Sequence, residues 1–360
     1  MSPDPLEVRS GRVILQRLID IADAIDLRHI RARPASAAGG HAPRLTAGLP
    51  AVAIDLGTVA LAGVGIEGRA MARIYDFGVV ALALTCEVVH LEWDAVLAQV
   101  EPLAPETLPD PVVRAWDTIT HRLLATTGLA FRDGEGLPLA EQHLIVEVDA
   151  FAASPEVSSL PTQLDLPRFL AGDPFPLSAR TRQHLLRHCF SHHADDLVAL
   201  GRLRSFVYRP GSTPGMAEVL EAAHARLLEL RYYDALLDAE LPRMYALVAR
   251  SRRRFDLLAP RRMANLARRL YTLVAEVSEL TGRLDASMQL AGSTHLARAY
   301  TAALELLQVE PLNQAVDRKL AIVRDTYAAL YDEAAASRAG LLEVIIIALI
   351  SLEILLALLR

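Results

Sequence analysis

The sequence has few cysteines and almost no lysine, and both shortages exclude classes of protein. Its two cysteines, Cys86 and Cys189, lie far apart without others nearby, which excludes a disulfide framework and suits a reducing compartment. Lys319 is the only lysine, so a GxxxxGK[ST] phosphate-binding loop cannot be built. The opening stretch MSPDPLEVRSGRVILQRLID has charges scattered among its apolar residues, so we do not expect a signal peptide.

Motifs for common enzyme chemistries are also missing. The sequence contains no GxSxG, no HExxH and no pair of CxxC motifs. The glycines of AGVGIEG precede further strand-like sequence, not the helix that a dinucleotide fingerprint requires. The net charge of -6 gives the chain no overall attraction to nucleic acid or anionic lipid. We therefore expect no catalysis, no cofactor and no small-molecule substrate.

The first 150 residues of the 360-residue chain predict a small α+β domain. Short apolar segments punctuated by glycine predict strands over 51–55 and 58–66, and the segment HLIVEVDAF predicts another over 143–151. Asp76-Phe77-Gly78 lies between two apolar arms over 72–84, which predicts a β-hairpin with glycine in its turn. Helical spacing predicts helices over 18–30, 87–100 and 111–124.

The pattern over 165–338 predicts an all-α domain with a coiled-coil-like helical hairpin. Two series of apolar residues alternate spacings of three and four. The first comprises Met263, Leu266, Leu270, Leu273, Val277, Leu280 and Leu284, and the second comprises Leu312, Val316, Leu320, Val323, Tyr327, Leu330 and Ala334. Both could form a coiled coil between subunits, which predicts a homo-oligomer, or face the core of one bundle.

The last segment, 339–360, predicts a C-terminal transmembrane helix. Leu341 to Leu359 is 19 residues, which is about 28 Å of helix and close to the hydrocarbon thickness. Glu343 and Glu353 lie about 80° apart around such a helix, so they predict an interface between anchors in an oligomer. The alternative is a helix packed in a bundle, with both glutamates at its wet edge.

Histidines spaced by four residues form the main candidate set of metal ligands. His184, His188, His192 and Asp196 in RQHLLRHCFSHHADD would share one face of a continuous helix. Neighbouring imidazoles at this spacing can share one zinc ion, so His188 and His192 are weak metal candidates. This is the basis of an alternative function, a metal-binding protein or hydrolase, and a solvated helix face is the competing interpretation.

Arginines concentrate in RSRRRFDLLAPRRMANLARRL over 250–270. Guanidinium groups bind phosphates through paired hydrogen bonds, so RNA on a ribosome and anionic lipid head groups are both reasonable partners. The candidate residues for an anionic surface are Arg252, Arg253, Arg254, Arg261 and Arg262. The alternative is a solvated helix face.

Two segments resemble a known family. YDFGVVALAL is similar to an FDYGVVVFW-type hairpin, and VDRKLAIVRDTYAALYDEAAASRAGLLEVIIIALISLEI is similar to a helical pair that runs into an LEWIIIILIxIEI tail. Both resemble the required-for-meiotic-nuclear-division and Sad1-interacting-factor family, defined by a domain of unknown function. Val344 stands where that family often has tryptophan.

The resemblance implies a membrane-anchored protein without established catalysis, whose mitochondrial relatives support translation at the inner membrane. We therefore expect a scaffold that self-associates and tethers a cytoplasmic partner at the inner (cytoplasmic) membrane. A single pass would leave its soluble part facing the cytoplasm.

Overall fold

The structure, a computed structural model, describes residues 6–22, 25–32, 51–61, 64–129, 139–173, 175–210, 215–251, 294–326, 328, 346–347 and 349–351. It has two compact units. The first comprises Met1–Tyr232 and Arg283–Glu310, and the second comprises Tyr233–Gly282 and Pro311–Arg360.

The described strands all belong to the first unit. They are β1 (Glu7–Asp20), β2 (Ala51–Leu61), β3 (Ile66–Tyr75), β4 (Val79–Glu92), β5 (Ala140–Phe151), β6 (Cys189–Phe190), β7 (Leu197–Leu200) and β8 (Arg204–Tyr208). The described helices are α1 (Leu27–Ala32), α2 (Trp93–Val100), α3 (Asp110–Thr127), α4 (Leu160–Gln163), α5 (Leu166–Ala171), α6 (Ala179–Leu185), α7 (Met216–Ser251), α8 (Thr294–Leu306) and α9 (309–326).

One eight-stranded sheet has the order β2-β3-β4-β1-β5-β8-β7-β6. Strand β1 lies in the middle, where Ile14 is opposite Thr85 of β4 and Ile145 of β5. The strand pairs are antiparallel except for β5 and β8, which are parallel. The sheet together with its helices confirms the predicted α+β class.

The predicted hairpin is present as β3 and β4. Its turn closes with the N–H of Gly78 donating to the carbonyl of Tyr75 at 3.3 Å. Gly78 has φ of 90°, a backbone conformation that side chains disfavour, so glycine belongs at this position. The predicted helix over 111–124 lies within α3, and the predicted strand over 143–151 lies within β5.

Other local predictions are wrong because sheet pairing continues past the predicted ends. Residues 18–20 belong to β1, where Leu18 pairs with Ala81, and not to a helix. The helix predicted over 87–100 begins only at Trp93, since the preceding residues extend β4 alongside β1. Strands β6, β7 and β8 also lie inside the range predicted as helical, and the long helix α7 begins at Met216.

The main hydrophobic core covers one face of the sheet. Alternate residues of β1 and β5, such as Leu15 and Val146, are buried there with Trp116 of α3. Trp93 of α2 donates its indole N–H to the carbonyl of Leu164 at 2.9 Å. The opposite face carries several polar side chains and contacts the first turns of α7.

The second unit includes the later part of α7, together with α9. Val316, Leu320 and Val323 of α9, from the second predicted series, are buried within a single chain. Lys319 pairs with Asp234 and Asp238 of α7 at 2.6 Å each. The first series, over 263–284, lies outside the described residues.

Four aliphatic side chains near the C-terminal end of the described sequence are exposed. Ile346, Ile347, Leu349 and Ile350 have exposed fractions of 53%, 59%, 59% and 50%, and they lie in short helical segments. None of the helices in the described ranges combines the length and apolarity that a bilayer crossing requires. Most of the predicted anchor, 339–360, lies outside these ranges.

Candidate functional site

The histidine run does not form one helix. Helix α6 ends at Leu185, a 3₁₀ turn covers Leu186–His188, and the chain then enters β6. The continuous helix predicted over 182–196 is therefore wrong, because Cys189 and Phe190 pair with β7 at the sheet edge. Among the described residues, no group of three or more His, Cys, Asp and Glu side chains is arranged to hold a metal ion.

His192 and His193 lie in the turn between β6 and β7, where Asp196 organises the backbone. The Asp196 carboxylate accepts the N–H groups of His192 at 2.6 Å and His193 at 3.2 Å. Burial acts to raise the pKa of Asp196, but these donors and the His193 ring lower it below its ordinary value. The His295 ring of α8 lies 5.0 Å from that of His192. This arrangement fixes a turn and connects it to α8.

Two further groups of predicted site residues lie outside the described residues. They are the anionic-surface candidates Arg252, Arg253, Arg254, Arg261 and Arg262, and the paired glutamates Glu343 and Glu353.

The most elaborate polar arrangement lies where the sheet face opposite the main core meets α7. Side chains alternate across a strand, so Arg12 and Gln16 of β1 share this face. The Arg12 Nε donates to Glu147 of β5 at 2.5 Å. Burial raises the pKa of Glu147, although Arg12 opposes the rise. The Gln16 amide donates to the carbonyl of Ala217 in α7 at 3.0 Å, which joins the helix to the sheet.

A second ion pair, beside the pair of Arg12 and Glu147, connects β3 to α7. Arg73 Nη1 lies 2.7 Å from Oε1 of Glu221, and its Nη2 lies 3.6 Å from Glu218. The Tyr75 hydroxyl donates to the same Glu221 oxygen at 2.5 Å. Burial raises the pKa of Tyr75 well above its ordinary value, and the Glu221 charge raises it further, so Tyr75 stays a neutral donor. Burial likewise raises the pKa of Glu221, against the effect of Arg73.

These groups, apart from Tyr75, line a cavity of about 230 Å³, which we name the α7 cleft. Small side chains in its wall, Ala53, Ala81 and Ala83, leave the space open. Its polar lining comprises Arg12, Gln16, Arg73, Thr85, Glu147, Glu218 and Glu221. Arginines, carboxylates and an amide so placed can hold a small polar molecule.

Sequence reasoning missed the α7 cleft. Its residues come mainly from β1, β2, β3, β4, β5 and α7, so only the folding of the sheet and the placement of α7 bring them together. The available signal was polar residues an even number of positions apart, Arg12 with Gln16 and Arg73 with Tyr75, which share one face of a strand.

A second cavity, of about 510 Å³, lies near the ends of α2 and α5. Arg204, which lines it, donates from Nε and Nη2 to the two carboxylate oxygens of Glu106, at 2.9 Å and 3.0 Å. Gly172 has φ of 62°, and a Cβ there would lie 2.5 Å from Glu106 Oε1. This compact ion pair ties the loop after α2 to β8, and we assign it a structural role.

A family model matches residues 10–213, which is more than half of the chain. The matched description makes no mention of meiotic nuclear division or of Sad1, so the resemblance noted in the sequence stays a prediction. Neither the curated proteins nor the solved structures gave a match. The matched range takes in β1 from Ser10 onward, the other seven described strands and the sheet side of the α7 cleft. The chain belongs to the family described as "Uncharacterized protein MJ0711, N-terminal domain".

Proposed function

We propose that this protein is a non-catalytic scaffold that associates with the cytoplasmic membrane through its C-terminal segment and holds a partner there. The observation that supports this proposal is the exposure of Ile346, Ile347, Leu349 and Ile350, each at least half exposed. Exposure of this apolar surface to water is unfavourable, because each square ångström of apolar area in water costs about 25 cal/mol of free energy.

The spacing of these four residues in the sequence favours extensive cover. On a single helix, at 100° per residue, positions 346, 347, 349 and 350 span an arc of about 160°. An arc this wide suits lipid, or several neighbouring helices, better than a single packed edge. The apolar sequence continues over 341–359, which is long enough to reach across the hydrocarbon layer.

We propose that the protein self-associates through the C-terminal segment over 341–359. In the described part of the second apolar series, Val316, Leu320 and Val323 are buried within one chain and Leu312 is partly buried, which favours use inside a bundle. A coiled coil between subunits would need those side chains at a surface. Contacts between copies of the C-terminal segment, with Glu343 and Glu353 facing protein, remain the proposed interface.

The partner is proposed to carry phosphate. The arginines of 250–270 are suited to ribosomal RNA or to anionic lipid, and the family resemblance noted in the sequence favours a role in translation. Binding to either should weaken steeply with added salt, since each phosphate contact releases counterions.

Membrane fractionation tests the proposal. Full-length protein should stay in the membrane pellet after alkaline carbonate extraction, and a chain ending at residue 338 should not. Ile346→Arg combined with Ile350→Arg should release the protein, because two guanidinium groups, which stay charged at alkaline pH, would enter the apolar surface. Ile322→Arg is the control, since Ile322 is a 42% exposed isoleucine on α9. Extraction of the unaltered protein, or equal release by the control, would refute membrane association through this segment.

A further inference from the structure

We infer that the α7 cleft is a binding site for a small molecule that carries a protonated amine. This inference concerns the first unit alone and does not depend on membrane association. It follows from the balance of charge in the cleft, from one buried acceptor and from the size of the cavity.

Carboxylates outnumber guanidinium groups in the cleft. Glu147, Glu218 and Glu221 line it together with two arginines, Arg12 and Arg73. Each arginine already has a close carboxylate partner, Glu147 at 2.5 Å and Glu221 at 2.7 Å. The remaining carboxylate, Glu218, lies 3.6 Å from Arg73 and shares it with Glu221.

The N-terminal end of α7 offsets only part of this excess. Glu218 lies in the first turn of α7, where the helix dipole contributes about half a positive charge. The Tyr75 hydroxyl donates a hydrogen bond but carries no charge. A negative balance therefore remains, and a cationic group would neutralise it.

A buried acceptor in the same wall lacks a donor. Gln16 is 2% exposed and lines the cleft, and its Oε1 accepts no hydrogen bond from the residues that the structure describes. The amide cannot simply be reversed, because its nitrogen donates to the carbonyl of Ala217. Buried acceptors in folded proteins normally have a donor. An ammonium group has three N–H donors, which suits a site that offers more acceptors than donors.

The dimensions of the cleft limit the ligand. A volume of about 230 Å³ is smaller than that of most drug-binding pockets and suits a short amine. The wall of Ala53, Ala81 and Ala83 offers an apolar surface for a few methylene groups. Met71 lines the same cavity and is 41% exposed, so the cleft has access to solvent.

Isothermal titration calorimetry with three four-carbon probes tests the inference. Full-length protein in a non-ionic detergent is titrated at neutral pH with n-butylamine, 1-butanol or sodium butyrate, and each probe is also titrated into detergent alone. We expect saturable binding of n-butylamine only. Glu218→Gln preserves shape and removes the excess charge, so it should weaken amine binding at least about tenfold.

Glu67→Gln is the matched control, because Glu67 is an exposed glutamate of β3 outside the cleft. Circular dichroism spectra of both variants are compared with that of the unaltered protein to check that they fold. The inference is overturned if butyrate or butanol binds as tightly as the amine, if no probe gives saturable heat, or if both variants bind the amine equally. A tenfold loss confined to Glu218→Gln supports it.

Discussion

Removing the Glu106 carboxylate should destabilise the first unit far more than removing the Glu101 carboxylate. Both groups approach Arg204, whose side chain is only 4% exposed. Glu106 makes two hydrogen bonds to it, at 2.9 Å and 3.0 Å, and its side chain is 25% exposed. Glu101 lies 3.9 Å from the guanidinium and is 70% exposed.

The expected magnitudes follow from burial. Breaking a buried ion pair costs about 3–5 kcal/mol, largely because the remaining charge is stranded. Because Glu106 is partly open to water, we expect Glu106→Ala to lower the free energy of unfolding by about 3 kcal/mol, the lower end of that range. Glu101→Ala should lower it by less than about 1 kcal/mol, as for exposed ion pairs.

Urea unfolding followed by tryptophan fluorescence measures this difference. Both tryptophans, Trp93 and Trp116, are buried in the first unit, so the signal reports on that unit. With a urea dependence of about 3 kcal/mol per molar, Glu106→Ala should lower the midpoint by about 1 M. Adding Arg204→Met should recover more than half of that loss, because no charge is then stranded.

Two results would refute this reasoning. If Glu106→Ala and Glu101→Ala shift the midpoint equally, the short contacts of Glu106 contribute no more to the free energy of unfolding than the exposed contact of Glu101. If Arg204→Met adds a further loss to Glu106→Ala, the stranded guanidinium is not the source of the penalty.

Two further predictions concern the interior of the first unit. Burial lowers the pKa of His143 to about 4, so the unfolded chain binds its proton more readily, and the free energy of unfolding should fall as pH drops from about 6.5 towards 4. Urea midpoints at about pH 7 and about pH 5 should differ less in His143→Gln, and an unchanged difference would contradict this. Phe206→Ala should lower the free energy of unfolding by about 3–5 kcal/mol, because Phe206 is fully buried with its ring 5.5 Å from that of Trp93. Phe175→Ala, at a 74% exposed position, should change it by less than about 0.5 kcal/mol in the same assay.

Features encoded by neighbouring residues were predictable from the sequence. The β3–β4 hairpin depends on Gly78 between two apolar arms, and α3 depends on the helical spacing of Trp116, Ile119 and Leu123. The helix predicted from residue 18 overlaps β1, because β1 is largely buried on both faces and therefore lacks the alternation typical of a strand. In the histidine-rich segment over 182–196, the spacing of the histidines predicts a helix. Cys189 and Phe190 instead pair with β7, so this part of the segment is a strand.

The α7 cleft was beyond sequence reasoning for a different reason. Its Arg12 and Glu147 are 135 positions apart, and its Glu221 is 146 positions from the hydrogen-bond partner Tyr75. Neither pair has a local signal, because strand order and the placement of α7 bring them together. Buried ion pairs of this kind can be inferred only after the sheet topology is known.

The central position of β1 has a consequence for synthesis of the chain. β1 is made first, yet its partners β4 and β5 begin only at Val79 and Ala140. At 5–20 residues per second, β1 waits about 3–12 s for the start of β4, and longer for β5. During that interval the apolar strand is unpaired and open to other strands or to a chaperone. Both halves of the sheet, β2-β3-β4 and β5-β8-β7-β6, must then be assembled around a strand that left the ribosome before either of them.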